Sequence, residues 1–436
     1  MKLIMRSYSN LLLCVSKITQ KNKGHRTPGL DNQVALTPSA RVRFVKQMSK
    51  YISWKVLPAK RVYIPKANGK KRPLGILTLK NRVAQAMLKN ALEPSWEARF
   101  EANSYGFRPG RSCHDAIAQC WTRLNRHNND RWVLDADVKA AFDSMSQKFI
   151  LTKLGAIPGR ELIKKWLKAG YVEADIFHAT KYGVQQGGVI SPVLANVALD
   201  GLEKLLKGKY GYIRYADDFV ITGRSKEQIE AIRPTVERFL AERGLELNTE
   251  KTKIVSVHQG FNFLGFNVRS YKNKCIIKPQ KEKVLSLLKE IRIWLKKNQM
   301  ATAEAVIWHL NPILRGWANY YKHIVSKQVF SYLRHKVWRA LWEWCLKRHP
   351  HKGTLWVKEK YFKRLNGQDW SFCGKALNKH AGEWNMHLFD IGAVPIIRHA
   401  KVKGTASPDD PALREYWTTR YKKKGQHYAG YAYAVM

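Results

Sequence analysis

Two carboxylates stand side by side at Asp217 and Asp218, inside Gly211-Tyr-Ile-Arg-Tyr-Ala-Asp-Asp-Phe-Val-Ile-Thr222. Apolar and aromatic residues lead up to the pair and away from it. That pattern predicts a β-hairpin with the carboxylates at its tip, and it commits both arms of the stretch to one sheet. Adjacent carboxylates at a tight turn repel each other unless a cation sits between them and other oxygens. A hard divalent ion suits the place, because Mg²⁺ takes carboxylate oxygens and keeps positions open for phosphate. A solvated acidic turn is the plain alternative, and the rest of the chain has to decide.

At 436 residues the chain is long enough for two or three domains, and a hydrophobic content of 45% supports a folded protein. Its 78 Lys and Arg against 33 Asp and Glu leave a net charge of +45. A protein that basic repels itself unless a polyanion neutralises it, so nucleic acid held through its phosphates is the expected partner. A membrane surface is the rival polyanion, but no apolar run is long enough to span one. The N-terminal Leu11-Leu-Leu-Cys-Val15 faintly imitates a signal peptide, yet it is short and lacks a small-residue cleavage site, so it reads as a buried helix. The six cysteines show no close pairs of zinc spacing and fit free thiols in a reducing compartment.

Along the chain, residues 1–60 read as helices with basic connectors. Arg61–Pro65 and Arg72–Ile76 read as strands joined through the turn chemistry of Lys66–Lys70. Asn81–Leu92 has helical spacing and is expected to stop at Pro94. Tyr105–Ser112 is a glycine and arginine loop in which Arg108 and Arg111 bracket Pro109-Gly110, an arrangement suited to clamping phosphate. Arg131–Val138 alternates as a strand, placing Asp135 and Asp137 on one face. Gly183–Pro192 is a loop that opens a helix expected over Val193–Leu206. Lys226–Arg243 is a helix capped by Gly244, and Phe261–Val268 is an aromatic strand pair. Between 281 and 364 lie 19 Lys and Arg, five Glu, no Asp and seven tryptophans, spaced as helices. A helical, basic, aromatic module of this kind asks for a polyanion. Residues 366–436 carry Gly/Asn/Ser-rich connectors, the basic stretch Arg398–Lys403 and a polar, Tyr-rich tail.

If the Asp217-Asp218 hairpin and the strand ending at Asp137 share one antiparallel sheet, three carboxylates converge. Together they can hold two Mg²⁺ ions that clamp the attacking 3′-oxygen and the leaving pyrophosphate of a nucleotidyl transfer. Phe142, five residues after Asp137, would then stand under the sugar of an incoming nucleotide and exclude a 2′-hydroxyl.

The chain closely resembles the group II intron-encoded reverse transcriptases and maturases. The matching segments run in family order: Lys71-Arg-Pro-Leu-Gly-Ile76, Asn103–Ser112, Asp137-Val-Lys-Ala-Ala-Phe-Asp143, Gln186-Gly-Gly-Val-Ile-Ser-Pro192, Tyr215-Ala-Asp-Asp218, Leu247-Asn-Thr-Glu-Lys-Thr252 and Phe263-Leu-Gly-Phe266. Gly316-Trp-Ala-Asn-Tyr-Tyr321 and Ala406-Ser-Pro-Asp409 follow. The resemblance implies an α+β, right-hand polymerase fold: fingers and an antiparallel palm over 1–278, a helical thumb or maturase domain over 279–366, and a basic DNA-binding-like region over 367–436 with no endonuclease domain. It implies catalysis by Asp137, Asp217 and Asp218, with two Mg²⁺ held by these residues and the Val138 carbonyl. Lys71, Arg72, Phe142, Gln186 and Lys251 are expected at the nucleotide. Arg108, Arg111, Trp317, Tyr320 and Tyr321 are expected at RNA.

The partners implied are group II intron RNA, target DNA, a template–primer duplex and deoxynucleoside triphosphates, with no membrane. The setting is a bacterial cytoplasmic ribonucleoprotein or an organelle, and the oligomeric state is left open. Three departures bear on these expectations. Family members carry further residues ahead of the stretch resembling Met5–Asn10. Val184-Gln185 stands where the family has Thr-Pro. Without the endonuclease, bottom-strand DNA cleavage is not expected. The rival reading is a splicing maturase that keeps the polymerase fold with little or no polymerase activity.

Overall fold

A computed structural model describes residues 1–50, 55–65, 69, 71–125, 127–206, 208–272, 274–365, 367–378 and 382–423. The arms of the Asp217-Asp218 stretch form the strands Gly211–Tyr215 and Asp218–Gly223, which pair antiparallel with Tyr215 opposite Asp218. Asp218–Gly223 also pairs antiparallel with Trp132–Ala136, and that strand pairs with Lys253–Ser256, closing a four-stranded sheet. Val133, Leu134, Ile213, Val220 and Ile221 are fully buried. Each such side chain contributes roughly 1.5–3 kcal/mol relative to exposure. Helices Gln147–Leu154, Ser191–Leu199 and Lys226–Ala241 supply Ile150, Val193, Val197, Ile229, Val236 and Leu240 to the core shared by Leu134 and Ile221.

A second four-stranded sheet runs in the order Lys71–Ile76, Ala59–Pro65, Tyr171–Glu173, Ile176–His178. Apart from Gly69, the turn expected at Lys66–Lys70 lies outside the described residues.

Two helix boundaries differ from the sequence reading. The helix Leu79–Glu97 runs through Pro94. The proline sits in the final turn, where it removes one backbone bond. Beyond it, Trp96 and Glu97 are buried, which offsets the loss. The helix expected over 193–206 breaks into Ser191–Leu199 and Leu202–Leu205. Gly201 takes φ +113° between them, and the buried Glu101 carboxylate accepts from the amides of Gly201, Glu203 and Lys204. A carboxylate at a helix start satisfies donors that lack a helical partner.

The chain divides into two compact units. One comprises 1–119, 129–256 and 401–436; the other comprises 120–128 and 257–400. Strands Phe261–Phe263, Phe266–Tyr271 and Lys274–Pro279 form their own sheet. The hydroxyls of Tyr320 and Tyr321 donate to the carbonyls of Leu264 and Gly265, tying that sheet to the helix Ala303–Tyr321. Lys281–Lys297, Lys327–Arg348 and Thr354–Tyr361 complete the helices of this unit. A three-stranded antiparallel sheet, Phe362–Leu365, Gln368–Asn378 and Gly382–His387, follows where composition suggested only connectors.

The six cysteines are free thiols, and no described helix is long and apolar enough to cross a membrane.

Candidate active site

Register brings the acidic residues together. Ala136 lies opposite Phe219, so the next step outward sets Asp137 beside Asp218. Ala216 carries φ +60° as the first central residue of the turn, the pattern of a type II′ hairpin. Burial and the charges of Asp217, Asp137 and Asp135 push the Asp218 carboxyl up to about 6, against the pull of Lys251. Burial and Asp137 push Asp135 up to about 6 as well. The acidic groups therefore share one field that favours a cation.

Lys251 Nζ donates to Asp137 Oδ2 at 3.2 Å. The bridge between Val138 and Leu247 is bonded through Lys139 N to Glu246 O and Asn248 N to Asp137 O, so the Val138 carbonyl is not used in it. Among the described residues no three Asp, Glu, His or Cys side chains converge on one point as a finished coordination shell. The donor set is nevertheless all hard oxygen, the kind Mg²⁺ takes.

The turn is supported from beneath by residues the sequence reading passed over. Arg214 is buried, and its Nη1 donates to Asn196 Oδ1 at 3.0 Å and to Ala216 O at 3.1 Å. Asn196 Nδ2 donates to Gly106 O at 3.0 Å. Arg214 and Tyr105 are further joined backbone to backbone, Tyr105 N to Arg214 O. A Cβ on Gly106 would lie 2.2 Å from Ala216 N. Arg214 adjoins the Tyr215–Asp218 motif and was readable as a buried cation under it; Asn196 and Gly106 carried no comparable signal.

Around the carboxylates, Arg72 Nε donates to Gln186 Oε1 at 3.1 Å, and Gln186 Nε2 donates to Asp143 Oδ2 at 3.0 Å. Asp143 was not singled out from the sequence, yet it fixes which way the Gln186 amide faces. Lys71 is exposed at the start of the same strand as Arg72. Phe142 meets Phe107 edge to face at 6.1 Å. The Gln186 loop is fastened to the Phe142 turn by Val184 N to Phe142 O and Gly183 N to Met145 O. Val184 is buried there, so the departure at this position fills core.

The residues expected at RNA are placed otherwise. Arg108 is buried and makes a 2.8 Å ion pair with Glu97, while also donating to the carbonyls of Glu101 and Ser104. Arg111 donates to the carbonyls of Ala102 and Gly404. Both guanidinium groups are spent inside the protein, and neither is available as a phosphate clamp. Tyr321 is buried, Tyr320 stacks on Phe266 at 5.1 Å, and Trp317 packs on Tyr321 and Phe330. Tyr321 is core, and Trp317 and Tyr320 are half-buried, each with a ring face packed within the unit.

The segment 401–423 joins the first unit through the same loop. Arg420 pairs with the buried Asp115 at 2.8 Å, and the fully buried Trp417 lies against Gly110. Trp417 Nε1 donates to Ser407 O. The Ala406–Asp409 motif is thus packed against the loop it follows by some three hundred residues of chain.

Comparison with known proteins adds to this geometry. Residues 64–268 match the family described as reverse transcriptase (RNA-dependent DNA polymerase), residues 284–362 match the group II intron maturase-specific domain, and residues 1–48 match the N-terminal domain of reverse transcriptase. Protein YkfC of Escherichia coli strain K12 is 36% identical over 296 residues, covering 57% of this chain and 78% of that protein. The group II intron-encoded protein LtrA of Lactococcus lactis subsp. cremoris is 28% identical over 449 residues, 79% of this chain and 74% of LtrA. Among solved structures, telomerase from Candida albicans, in complex with a TWJ fragment of telomeric RNA, aligns at TM-score 0.40 and 13% identity, over 70% of this chain and 64% of that one. With a polymerase match across the acidic sheet and a maturase match across the helices, the chain belongs to the group II intron-encoded reverse transcriptases and maturases, α+β proteins of the right-hand polymerase class.

Proposed function

We propose that this chain is an active RNA-directed DNA polymerase that also binds its group II intron RNA and assists splicing and mobility. The observation that carries the reading is the register of the acidic sheet, which sets Asp137 beside Asp218 with Asp217 in the adjoining turn. Asp137, Asp217 and Asp218, with the Val138 carbonyl, are the groups that would hold two Mg²⁺ ions. Such a pair supplies charge neutralisation at the 3′-oxygen and at the leaving pyrophosphate.

The remaining work falls to the chain's own side chains. Lys251 neutralises Asp137 and is placed to meet the triphosphate. Arg72 and Lys71 present cations from one strand. The Arg72–Gln186–Asp143 chain orients the Gln186 amide at the nucleotide. Phe142, held edge-on by Phe107, closes the space a 2′-hydroxyl needs. In this reading 1–278 forms fingers and palm, 279–366 the thumb, and the basic stretch Arg398–Lys403 with the following tail reaches target DNA. The ribonucleoprotein would work in the bacterial cytoplasm or an organelle.

Primer extension tests the assignment. Wild-type protein should extend a DNA primer on an RNA template with Mg²⁺. Asp217→Ala should abolish extension and leave RNA binding intact. Extension surviving that substitution sinks the polymerase assignment, and intron splicing supported by wild-type protein that shows no extension favours a maturase without polymerase activity.

A further inference from the structure

The second unit holds a cavity of about 520 Å³ that the polymerase chemistry does not use. One face of the helix Lys327–Arg348 lines it with Ser331, Arg334, His335 and Trp338, spaced so that they project to one side. Trp370 and Asp390 face them from the strand Gln368–Asn378 and the segment after the last strand.

The walls mix aromatic rings with aliphatic side chains such as Leu314, Leu341 and Leu388. The Trp338 and Trp370 rings meet edge to face at 5.6 Å and 89°, and His335 lies nearly parallel to Trp338 at 6.1 Å. Trp370 is 42% exposed, an unusual amount for an indole in a packed sheet.

Two of the polar groups are paired loosely or not at all. Trp338 Nε1 is buried and has no hydrogen-bond partner among the described residues. A buried donor left so costs about 1–3 kcal/mol. Arg334 and Asp390 stand at 3.6 Å, too long for a good hydrogen bond. Asp390 is fixed in place, since its Oδ1 accepts from Gly392 N at 2.8 Å. Gly392 lies so close to the Arg334 stem that a Cβ there would be 2.8 Å from Arg334 Cδ.

A ligand that fits must be flat and apolar on its faces, with donors and acceptors around its rim. It must also come attached to a polyanion, because the helices around it carry net +14 between 281 and 364. We propose that this cavity takes an unstacked guanine of an RNA strand. Guanine stacks on the Trp370 indole, presents O6 and N7 to the Arg334 guanidinium and to the N–H of Trp338, whose ring stands at a right angle to Trp370, and donates N1–H and N2–H to the Asp390 carboxylate. Adenine lacks that run of neighbouring acceptor and donors, and the pyrimidines offer less face to stack. A protein side chain would fill the apolar walls without using the carboxylate and guanidinium together.

The proposal rests on RNA being bound by this unit, and its test separates the two statements. The full-length protein is titrated with four labelled twelve-nucleotide oligouridines carrying G, A, C or U at the centre, at raised salt to subdue phosphate contacts. The central G should bind about tenfold more tightly than the others. Asp390→Asn should erase that preference while leaving the binding of all-uridine RNA unchanged. Trp370→Leu, which removes the stacking face but keeps an apolar side chain against Trp342 and Phe362, should do the same. A 6-thioguanosine at the centre should cross-link to the peptide carrying Trp338 or Trp370. Equal binding of all four RNAs, or cross-links confined to other peptides, overturns the guanine site and leaves RNA binding standing. No binding of any of them, at low salt as well as at raised salt, overturns both.

Discussion

Gly106→Ala should disable the polymerase without touching a carboxylate. Gly106 has no need of a positive φ; only space constrains it. An added Cβ would stand 2.2 Å from Ala216 N, 2.9 Å from Tyr215 C and 3.0 Å from Ala216 Cα, all backbone of the turn that carries Asp217 and Asp218. Ordinary contact begins at about 3.4 Å, so turn and loop must separate by about 1.2 Å. The loop cannot give easily, because Tyr105 N is bonded to Arg214 O and Gly106 O to Asn196. Displacements of that order at a reacting centre reduce rates by about 10²-fold, or roughly 2.7 kcal/mol of barrier. The assay is single-turnover primer extension at saturating nucleotide and Mg²⁺, with the thermal midpoint followed in parallel. Gly110→Ala is the companion: its Cβ would meet the Trp417 ring at 2.5 Å, away from the turn. That variant should lose stability while keeping its extension rate per folded molecule. Gly106→Ala extending within a few-fold of wild type, while folded, would refute the reasoning that this glycine sets the turn.

Three further outcomes are expected. The Asp218 and Asp135 carboxyls titrate near 6 in the folded protein, above the ordinary value of 3.8, so the folded state holds more protons than the unfolded between those values. Stability in EDTA should therefore fall as pH rises through about 4 to 6, and Asp218→Asn should flatten the fall; thermal midpoints against pH check this, and a rising curve in that window contradicts it. Arg420→Met removes a cation from the buried Asp115 carboxylate, which keeps the Ser112 and Val402 amides, and should destabilise the first unit by about 1–3 kcal/mol in urea unfolding. Phe142→Val should relax discrimination against ribonucleotides by about 10–200-fold, read as the ratio of kcat/KM for the two nucleotide types; an unchanged ratio removes Phe142 from that role.

The acidic hairpin and the strand before Asp137 were legible because sheet periodicity and turn chemistry are local. Once the arms of the hairpin are strands, register alone brings Asp137 to Asp218. The arginines were misjudged for the opposite reason. Arg108 looks free in the sequence because its partner Glu97 lies beyond Pro94, where the helix was expected to have ended. Arg111 bonds a carbonyl at Gly404, a partner no local pattern announces. Tyr320 and Tyr321 read as nucleic-acid aromatics because their hydroxyl acceptors, the Leu264 and Gly265 carbonyls, belong to a different hairpin. The sheet spanning 362–387 was hidden by its own composition, since Gly and Asn at its ends resemble connectors.

The Asp115–Arg420 pair has a consequence in time. The two residues are 305 positions apart. At roughly 5–20 residues per second, a ribosome delivers the second about 15–60 s after the first. Throughout that interval Asp115 waits without the Arg420 guanidinium, and the loop at Gly110 waits without the Trp417 ring. The polymerase half is synthesised early but finished late, by residues that emerge after the whole helical unit. A message broken before codon 401 therefore yields a chain with Asp137, Asp217 and Asp218 but an incomplete first unit, a natural substrate for proteolysis.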